Sequence, residues 1–177
     1  MQMADGLSSA TCDAGSPFIV LRAGYGIEAR VTRNTRNSPW THCGIAIGDV
    51  VYESAPARGG SGEDGDTRPS GVRRVAWHYF TAPVRCQQHY AIPLELNSWQ
   101  REQVVAFCDY HARIRTPFAA DYRQHDNAFY CTTFVASALL AANIDLLANK
   151  ILRWIHIPLL LEPGRYIAFP EDLLCEQ

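Results

Sequence analysis

The sequence lacks the features that mark exported and membrane-spanning proteins. Its first residues, Met1 to Gly6, contain neither a basic start nor an apolar stretch, so they do not resemble a secretory signal. No apolar run is long enough to cross a bilayer, because the most hydrophobic stretch, 151–161, contains Arg153, His156 and Pro158. We therefore expect a protein that is cytoplasmic as synthesised and has no integral membrane segment.

Charge and cysteine spacing exclude further classes. The formal net charge is -2 and the arginines are dispersed, which argues against nucleic-acid binding. The cysteines form no CxxC pair, no zinc-finger spacing and no dense disulfide pattern. We expect neither a metal nor a cofactor, and we interpret the cysteines as reduced thiols of which at most one does chemistry. They are Cys12, Cys43, Cys86, Cys108, Cys131 and Cys175.

The composition is that of an ordinary globular domain, with 47% hydrophobic and 19% charged residues in a chain of 177. We expect residues 1–16, which are small and polar, to be poorly ordered, and residues 17–177 to form a single domain. Strands are predicted at 17–22 and 88–96, a helix from Trp99 to about Ile114 after an Asn97-Ser98 cap, and a closing strand and turn at 167–174. The fold class is therefore α+β.

Two further segments bear on a site. On the predicted helix, an inward stripe contains Cys108 and His111, which we expect to be packed rather than catalytic; its members are Val104, Phe107, Cys108 and His111. Residues 58–71 are rich in Gly, Ser, Asp and Arg and should form an exposed loop, either a lid over a site or a tether.

The clearest β-signal is a hairpin over residues 42–55. Two β-prone runs flank Gly48-Asp49, a dipeptide that suits a two-residue turn. That turn pairs Ile47 with Val50, and side-chain alternation then puts His42 and Glu53 on one face as diagonal neighbours. A slip of one residue would instead bring Tyr52 and Ser54 beside His42.

A cysteine is predicted at the start of a buried helix. Phe134, Val135, Ala138, Leu139 and Ala142 recur at helical spacing, and Cys131 comes just where that helix begins. The unpaired N–H groups and the positive end of the helix dipole favour a thiolate there. Taken alone, this segment fits a buried cysteine that fills space equally well.

These residues together describe one catalytic site. A thiol nucleophile at Cys131 needs a base, which His42 supplies, and the base needs an orienting group, which Glu53 supplies. The first N–H groups of the helix could stabilise an oxyanion, with Tyr52, Tyr122 or Tyr130 as side chains that could assist. A metal site at His42 and Cys43 is disfavoured, since adjacent strand residues point to opposite faces, and the same reason excludes Cys43 as the nucleophile.

The motif His-x-Gly-Ile-x-Ile-Gly-Asp, followed by Val-Tyr-Glu-Ser and much later by Tyr-Cys-Thr-Thr-Phe-Val, resembles the circularly permuted NlpC-type papain-fold hydrolases. Within them the YiiX-like group is the most similar, and lecithin:retinol acyltransferases are more distant. The resemblance covers roughly residues 17–174. It implies a papain-like fold with an antiparallel sheet packed against helices, one of which carries a catalytic Cys131 at its N-terminus, with His42 as base and Glu53 as the polar third residue.

Three functions follow as hypotheses. The first is a cysteine hydrolase that cleaves amide bonds through an acyl-enzyme, with peptides of peptidoglycan as the substrate class that the resemblance implies. The second is a lipid ester or thioester hydrolase or acyltransferase, since the same triad serves acyl transfer. The third is a non-catalytic binding domain of the same fold that uses the aromatic loops around Trp77 and Phe118 for a partner.

A cell-wall substrate conflicts with the missing secretory signal. One hypothesis that removes the conflict is signal-independent export as an antibacterial effector, whose partners would include an immunity protein and a secretion apparatus. Expression in a bacterial periplasm should then cause lysis or a growth defect, and normal growth would count strongly against this hypothesis.

Overall fold

An antiparallel sheet of five strands organises the chain, in the order β4-β3-β2-β1-β5. The computed structural model describes residues 16–25, 38–57, 69–121, 125, 127–146, 154–155 and 165–166. Every neighbouring pair in this sheet is antiparallel. The strands are β1 (Phe18–Gly24), β2 (His42–Ile47), β3 (Val50–Ala55), β4 (Gly71–Ala76) and β5 (Cys86–Pro93).

Three helices accompany the sheet. They are α1 (Trp77–Phe80), α2 (Ser98–Ile114) and α3 (Cys131–Leu140), and a second sheet pairs β6 (Trp154–Ile155) with β7 (Arg165–Tyr166). The predicted α+β class is confirmed. The predicted cap of α2 is also confirmed, since the Asn97 side chain accepts a hydrogen bond from the Gln100 N–H and the Gln100 side chain accepts one from the Asn97 N–H.

The predicted hairpin has the expected register, with Ile47 opposite Val50 and Ala46 opposite Val51. Gly48 has a φ of +62°, which glycine adopts without a steric cost. Gly44 is required for another reason: a Cβ there would lie 2.6 Å from the Tyr52 carbonyl oxygen. The two strands therefore approach more closely at Gly44 than a side chain would allow.

The sheet separates two groups of buried side chains. On one face, Cys43, Ile45 and Tyr52 pack with side chains of α2 and α3, such as Val104 and Phe134. On the other face, a smaller cluster consists of Phe18, Val20, Ala46, Val51, Val75 and Phe80. The helix that begins at Cys131 therefore covers the face of Cys43, whereas α1 covers the other.

Several predicted segments lie outside the described residues. These are residues 1–15 of the expected disordered segment, residues 58–68 of the expected loop, the closing segment 167–174, and the single positions Cys12, Tyr122 and Cys175.

Candidate functional site

Cys131 is the first residue of α3. Just before it, the Tyr130 N–H donates to the Thr133 hydroxyl at 3.1 Å, and the Phe134 N–H donates to the Tyr130 carbonyl at 2.9 Å. These bonds start the helix at the cysteine. The first backbone N–H groups of a helix have no acceptor within it, so they point at whatever lies before the first turn. The thiol thus lies at the positive end of a buried helix, as predicted.

His42 is the first residue of β2 and contacts both other predicted site residues. Its Nε2 lies 2.7 Å from Oε2 of Glu53, and its ring also makes a hydrogen bond with the Cys131 side chain. The ring stacks on Phe80 with 5.8 Å between centroids, which restricts its rotation. Because Nε2 of His42 faces Glu53, Nδ1 is the ring nitrogen that can interact with the Cys131 sulfur. The structure therefore brings the three residues together in the order Cys131, His42, Glu53.

Opposing effects set the ionisation of His42. Burial and the positive charge of Arg22, which lies opposite His42 on β1, both favour the neutral ring. The hydrogen bonds to Cys131 and Glu53 and the charge of Glu53 favour the imidazolium, and the pKa of His42 is raised as a result. The imidazolium is therefore present to a higher pH than in an ordinary histidine.

Glu53 is almost completely buried, with 1% of its surface exposed. Its Oε1 accepts a hydrogen bond from Nε of Arg73 at 2.9 Å, while Oε2 faces His42. Burial alone would raise the pKa of this carboxyl, but the hydrogen bond and charge of His42 and the charges of Arg22 and Arg73 lower it well below its usual range. Glu53 is therefore a carboxylate at neutral pH, so it can orient His42 and stabilise its charge.

The Cys131 thiol is strongly acidified. The largest contribution comes from the Cys43 side chain, which favours the thiolate. Burial opposes it, and the hydrogen bond and charge of His42 and a hydrogen bond from Thr132 lower the pKa further. The pKa of Cys131 is thereby lowered well below that of an ordinary thiol. The Thr132 hydroxyl lies 3.8 Å from the Cys131 sulfur and 3.9 Å from the Cys43 sulfur, so one hydroxyl contacts both thiols.

Cys43 is a residue whose contribution the sequence analysis missed. Side-chain alternation correctly put Cys43 on the sheet face opposite to that of His42. That face of the sheet is the one on which α3 packs. Cys43 therefore approaches the nucleophile from the helix side, while His42 reaches it from the end of β2. The sequence does show a cysteine next to His42, but the effect of Cys43 on Cys131 becomes evident only from the position of α3.

Arg73 was also missed. It lies directly opposite Glu53 in the β3–β4 pairing. The sequence shows an arginine in a β-prone run, but the pairing depends on how the chain returns after residues 58–68. A tight turn such as Gly48-Asp49 fixes a register locally, whereas a long connection does not.

Three other predicted residues have contacts that belong to the fold. Tyr52 donates to Oδ1 of Asp109 at 2.6 Å, and burial together with that hydrogen bond raises the pKa of its hydroxyl. Cys108 is buried in the core, and Nδ1 of His111 lies 2.7 Å from the Thr116 hydroxyl. The packed roles predicted for Cys108 and His111 agree with these contacts. Tyr52 has its hydroxyl committed to Asp109, away from the thiol.

We expect the Cys43→Ala variant to raise the pKa of Cys131, because it removes the first contributor to the thiolate. Iodoacetamide at mildly acidic pH should alkylate Cys131 of the wild type ahead of the other described cysteines. In Cys43→Ala, the rising limb of the alkylation rate against pH should shift to higher pH by about one unit or more, the size of shift that one hydrogen bond to a charged group can cause.

The matched control is Cys108→Ala, which removes another buried thiol of the same core cluster. Its profile should match that of the wild type. Equal profiles for Cys43→Ala and Cys108→Ala would show that Cys43 does not act on the nucleophile.

Neither metal binding nor a membrane helix is indicated by the described residues. Within them, no group of three or more His, Cys, Asp or Glu side chains could hold a metal ion. In the same part of the chain, no helix combines the length and the apolar character that crossing a bilayer requires.

No protein-family model matches the chain, and no curated protein or solved structure matches it either.

Proposed function

We propose that the protein is a papain-like cysteine hydrolase of the circularly permuted NlpC type that cleaves amide bonds through an acyl-enzyme. The observation that carries the proposal is the position of His42, which makes hydrogen bonds with an acidified thiol on one side and a buried carboxylate on the other. A nucleophile, a base and an orienting acid in that order are what acyl transfer by a thiol needs.

In the first half of the reaction the Cys131 thiolate attacks the carbonyl carbon of the amide. The first N–H groups of α3 stabilise the negative charge that develops on the carbonyl oxygen. When the tetrahedral intermediate collapses, the C–N bond breaks and the His42 imidazolium gives its proton to the leaving amine. The raised pKa of His42 helps because the ring is charged when the proton is needed.

In the second half, neutral His42 takes a proton from water as the water attacks the thioester. The C–S bond breaks, the acid leaves, and the thiolate and imidazolium are restored. Glu53 keeps its charge throughout because its pKa lies far below that of His42, and it holds the ring by its 2.7 Å contact with Nε2. The proton thus moves between His42 and the reacting groups only.

The resemblance supports peptide bonds in peptidoglycan as the substrate class, and lipid esters or thioesters are the alternative acyl substrates. The binding-domain alternative receives less support from the contacts of its two aromatic residues. Trp77 packs edge-on against Phe18 at 5.5 Å between ring centroids, and Phe118 forms an isolated β-bridge with Phe129. Both residues therefore have contacts within the domain.

The proposal predicts that purified muropeptides are cleaved by the wild type and that Cys131→Ala abolishes cleavage. The His42→Ala variant should lose about 10²- to 10⁴-fold in rate, the usual contribution of a positioned acid–base group. Mass spectrometry of the products identifies the broken bond, and a panel of lipid esters and thioesters is assayed in parallel.

Cys108→Ala, which removes a thiol away from the site, serves as the control and should keep wild-type activity. Cleavage of the ester panel alone would replace the amide assignment by the lipid one. Equal turnover by wild type and Cys131→Ala on any substrate would contradict the assignment of the nucleophile.

A further inference from the structure

Two cysteine side chains that are far apart in the sequence meet at the start of α3. The Thr132 hydroxyl contacts both sulfurs, at 3.8 Å from Sγ of Cys131 and 3.9 Å from Sγ of Cys43. The Cys43 side chain also interacts directly with that of Cys131, and this interaction contributes most to the lowered pKa of Cys131. Hydrolysis needs one nucleophilic thiol, whereas the packing of α3 on β2 supplies two neighbouring ones.

The two thiols differ in their access to solvent. Cys131 is partly exposed, whereas Cys43 is completely buried. A small reagent therefore reaches the Cys131 sulfur first, and the chemistry of Cys43 proceeds through Cys131. A low pKa, access from solvent and a second thiol next to the first are the features of cysteines that are oxidised reversibly. Cys131 combines all three.

We propose that Cys131 and Cys43 form an oxidisable dithiol, in which a hydroperoxide oxidises Cys131 and Cys43 then closes a disulfide with it. The proposal goes beyond the hydrolysis, since it needs a reactive Cys131 thiolate and no acyl substrate. The disulfide removes the nucleophile from His42 and stops the enzyme until a reductant restores it. Cys43 thereby protects Cys131 from irreversible oxidation.

The oxidation proceeds in two balanced steps. The Cys131 thiolate attacks the terminal oxygen of the hydroperoxide, the O–O bond breaks, and the sulfur gives up two electrons to become a sulfenic acid. The leaving alkoxide or hydroxide takes a proton from the His42 imidazolium. The Cys43 sulfur then attacks the Cys131 sulfur, the S–O bond breaks, and the departing hydroxide leaves as water with the Cys43 proton. An external dithiol reduces the disulfide and regenerates both thiols.

Two other described cysteines have positions that suit this step less well. Cys86 lies at the start of β5, which pairs with β1 on the side away from β2, and its thiol donates to the Gln88 carbonyl at 3.1 Å. Cys108 is buried on α2, and burial raises the pKa of its thiol. Cys43 is thus the described cysteine that the fold places beside the nucleophile.

The test treats the full-length wild type with hydrogen peroxide, blocks the remaining thiols with iodoacetamide and maps the peptides without reduction. The intact mass should fall by two hydrogen atoms, and a peptide pair linked through Cys43 and Cys131 should appear. Alkylation of Cys131 should be lost and then restored by dithiothreitol. A disulfide from Cys131 to any other cysteine, within the chain or between chains, overturns the proposal. Oxidised Cys131 with Cys43 still reduced also overturns it.

The Cys43→Ala variant tests the protective role, because it cannot close the disulfide. Its Cys131 should gain two or three oxygen atoms, and the alkylation that dithiothreitol restores should fall severalfold, since thiols do not reduce sulfinic or sulfonic acids. Dimedone, which traps sulfenic acids, should label Cys131 more in this variant than in the wild type. Products are compared after all Cys131 has reacted, because the variant also raises the pKa of Cys131 and slows the reaction.

Cys108→Ala is the matched control and should lose and regain Cys131 alkylation as the wild type does. In Cys131→Ala, Cys43 should stay reduced under the same peroxide treatment, because its oxidation passes through Cys131. If Cys43→Ala fails to fold, as judged by circular dichroism, Cys43→Ser replaces it, and the disulfide mapping of the wild type needs no variant. Equal recovery in wild type and Cys43→Ala, with Cys131 still alkylated first by iodoacetamide, overturns the dithiol and leaves the hydrolase proposal intact.

Discussion

The buried carboxylate of Glu53 is the constraint on which the site depends. A charge with 1% of its surface exposed is tolerated only when its oxygens are paired, and here His42 takes one oxygen and Arg73 the other. Losing one partner of such a buried pair typically costs about 3–5 kcal/mol, since the other charge stays buried. The pairing of β2, β3 and β4 therefore helps to hold the ring of His42 in place, because it positions Glu53 between His42 and Arg73.

The nucleophile is held from the other side of the sheet. α3 packs on the face that contains Cys43 and Ile45, whereas His42 stacks on Phe80 of α1 on the opposite face. Cys131 and His42 meet at the start of β2, because His42 is the first residue of that strand. Cys43 and His42, whose side chains lie on opposite faces of the sheet, consequently both lower the pKa of Cys131.

Local chemistry explains which parts of this arrangement were predictable. The Gly48-Asp49 turn determines the pairing of its two strands, so the proximity of His42 and Glu53 follows from alternation. The helical spacing after Cys131 likewise predicts a thiol at a helix start. Cys43, Arg73 and Arg22 acquire their roles through contacts between segments far apart in sequence; Arg22, for example, lies opposite His42 although residues 25–41 connect their two strands. Pairings of that kind depend on tertiary packing and leave no local pattern.

The central claim is that Cys131 and His42 form a thiolate–imidazolium pair, and NMR titration of the His42 ring carbon tests it most directly. In the wild type, the pKa of His42 should be above that of an ordinary histidine, because the Cys131 hydrogen bond helps to raise it. In Cys131→Ala that contribution is lost, so the His42 pKa should fall and the imidazolium should disappear at lower pH. The same His42 pKa in wild type and Cys131→Ala would contradict the pair.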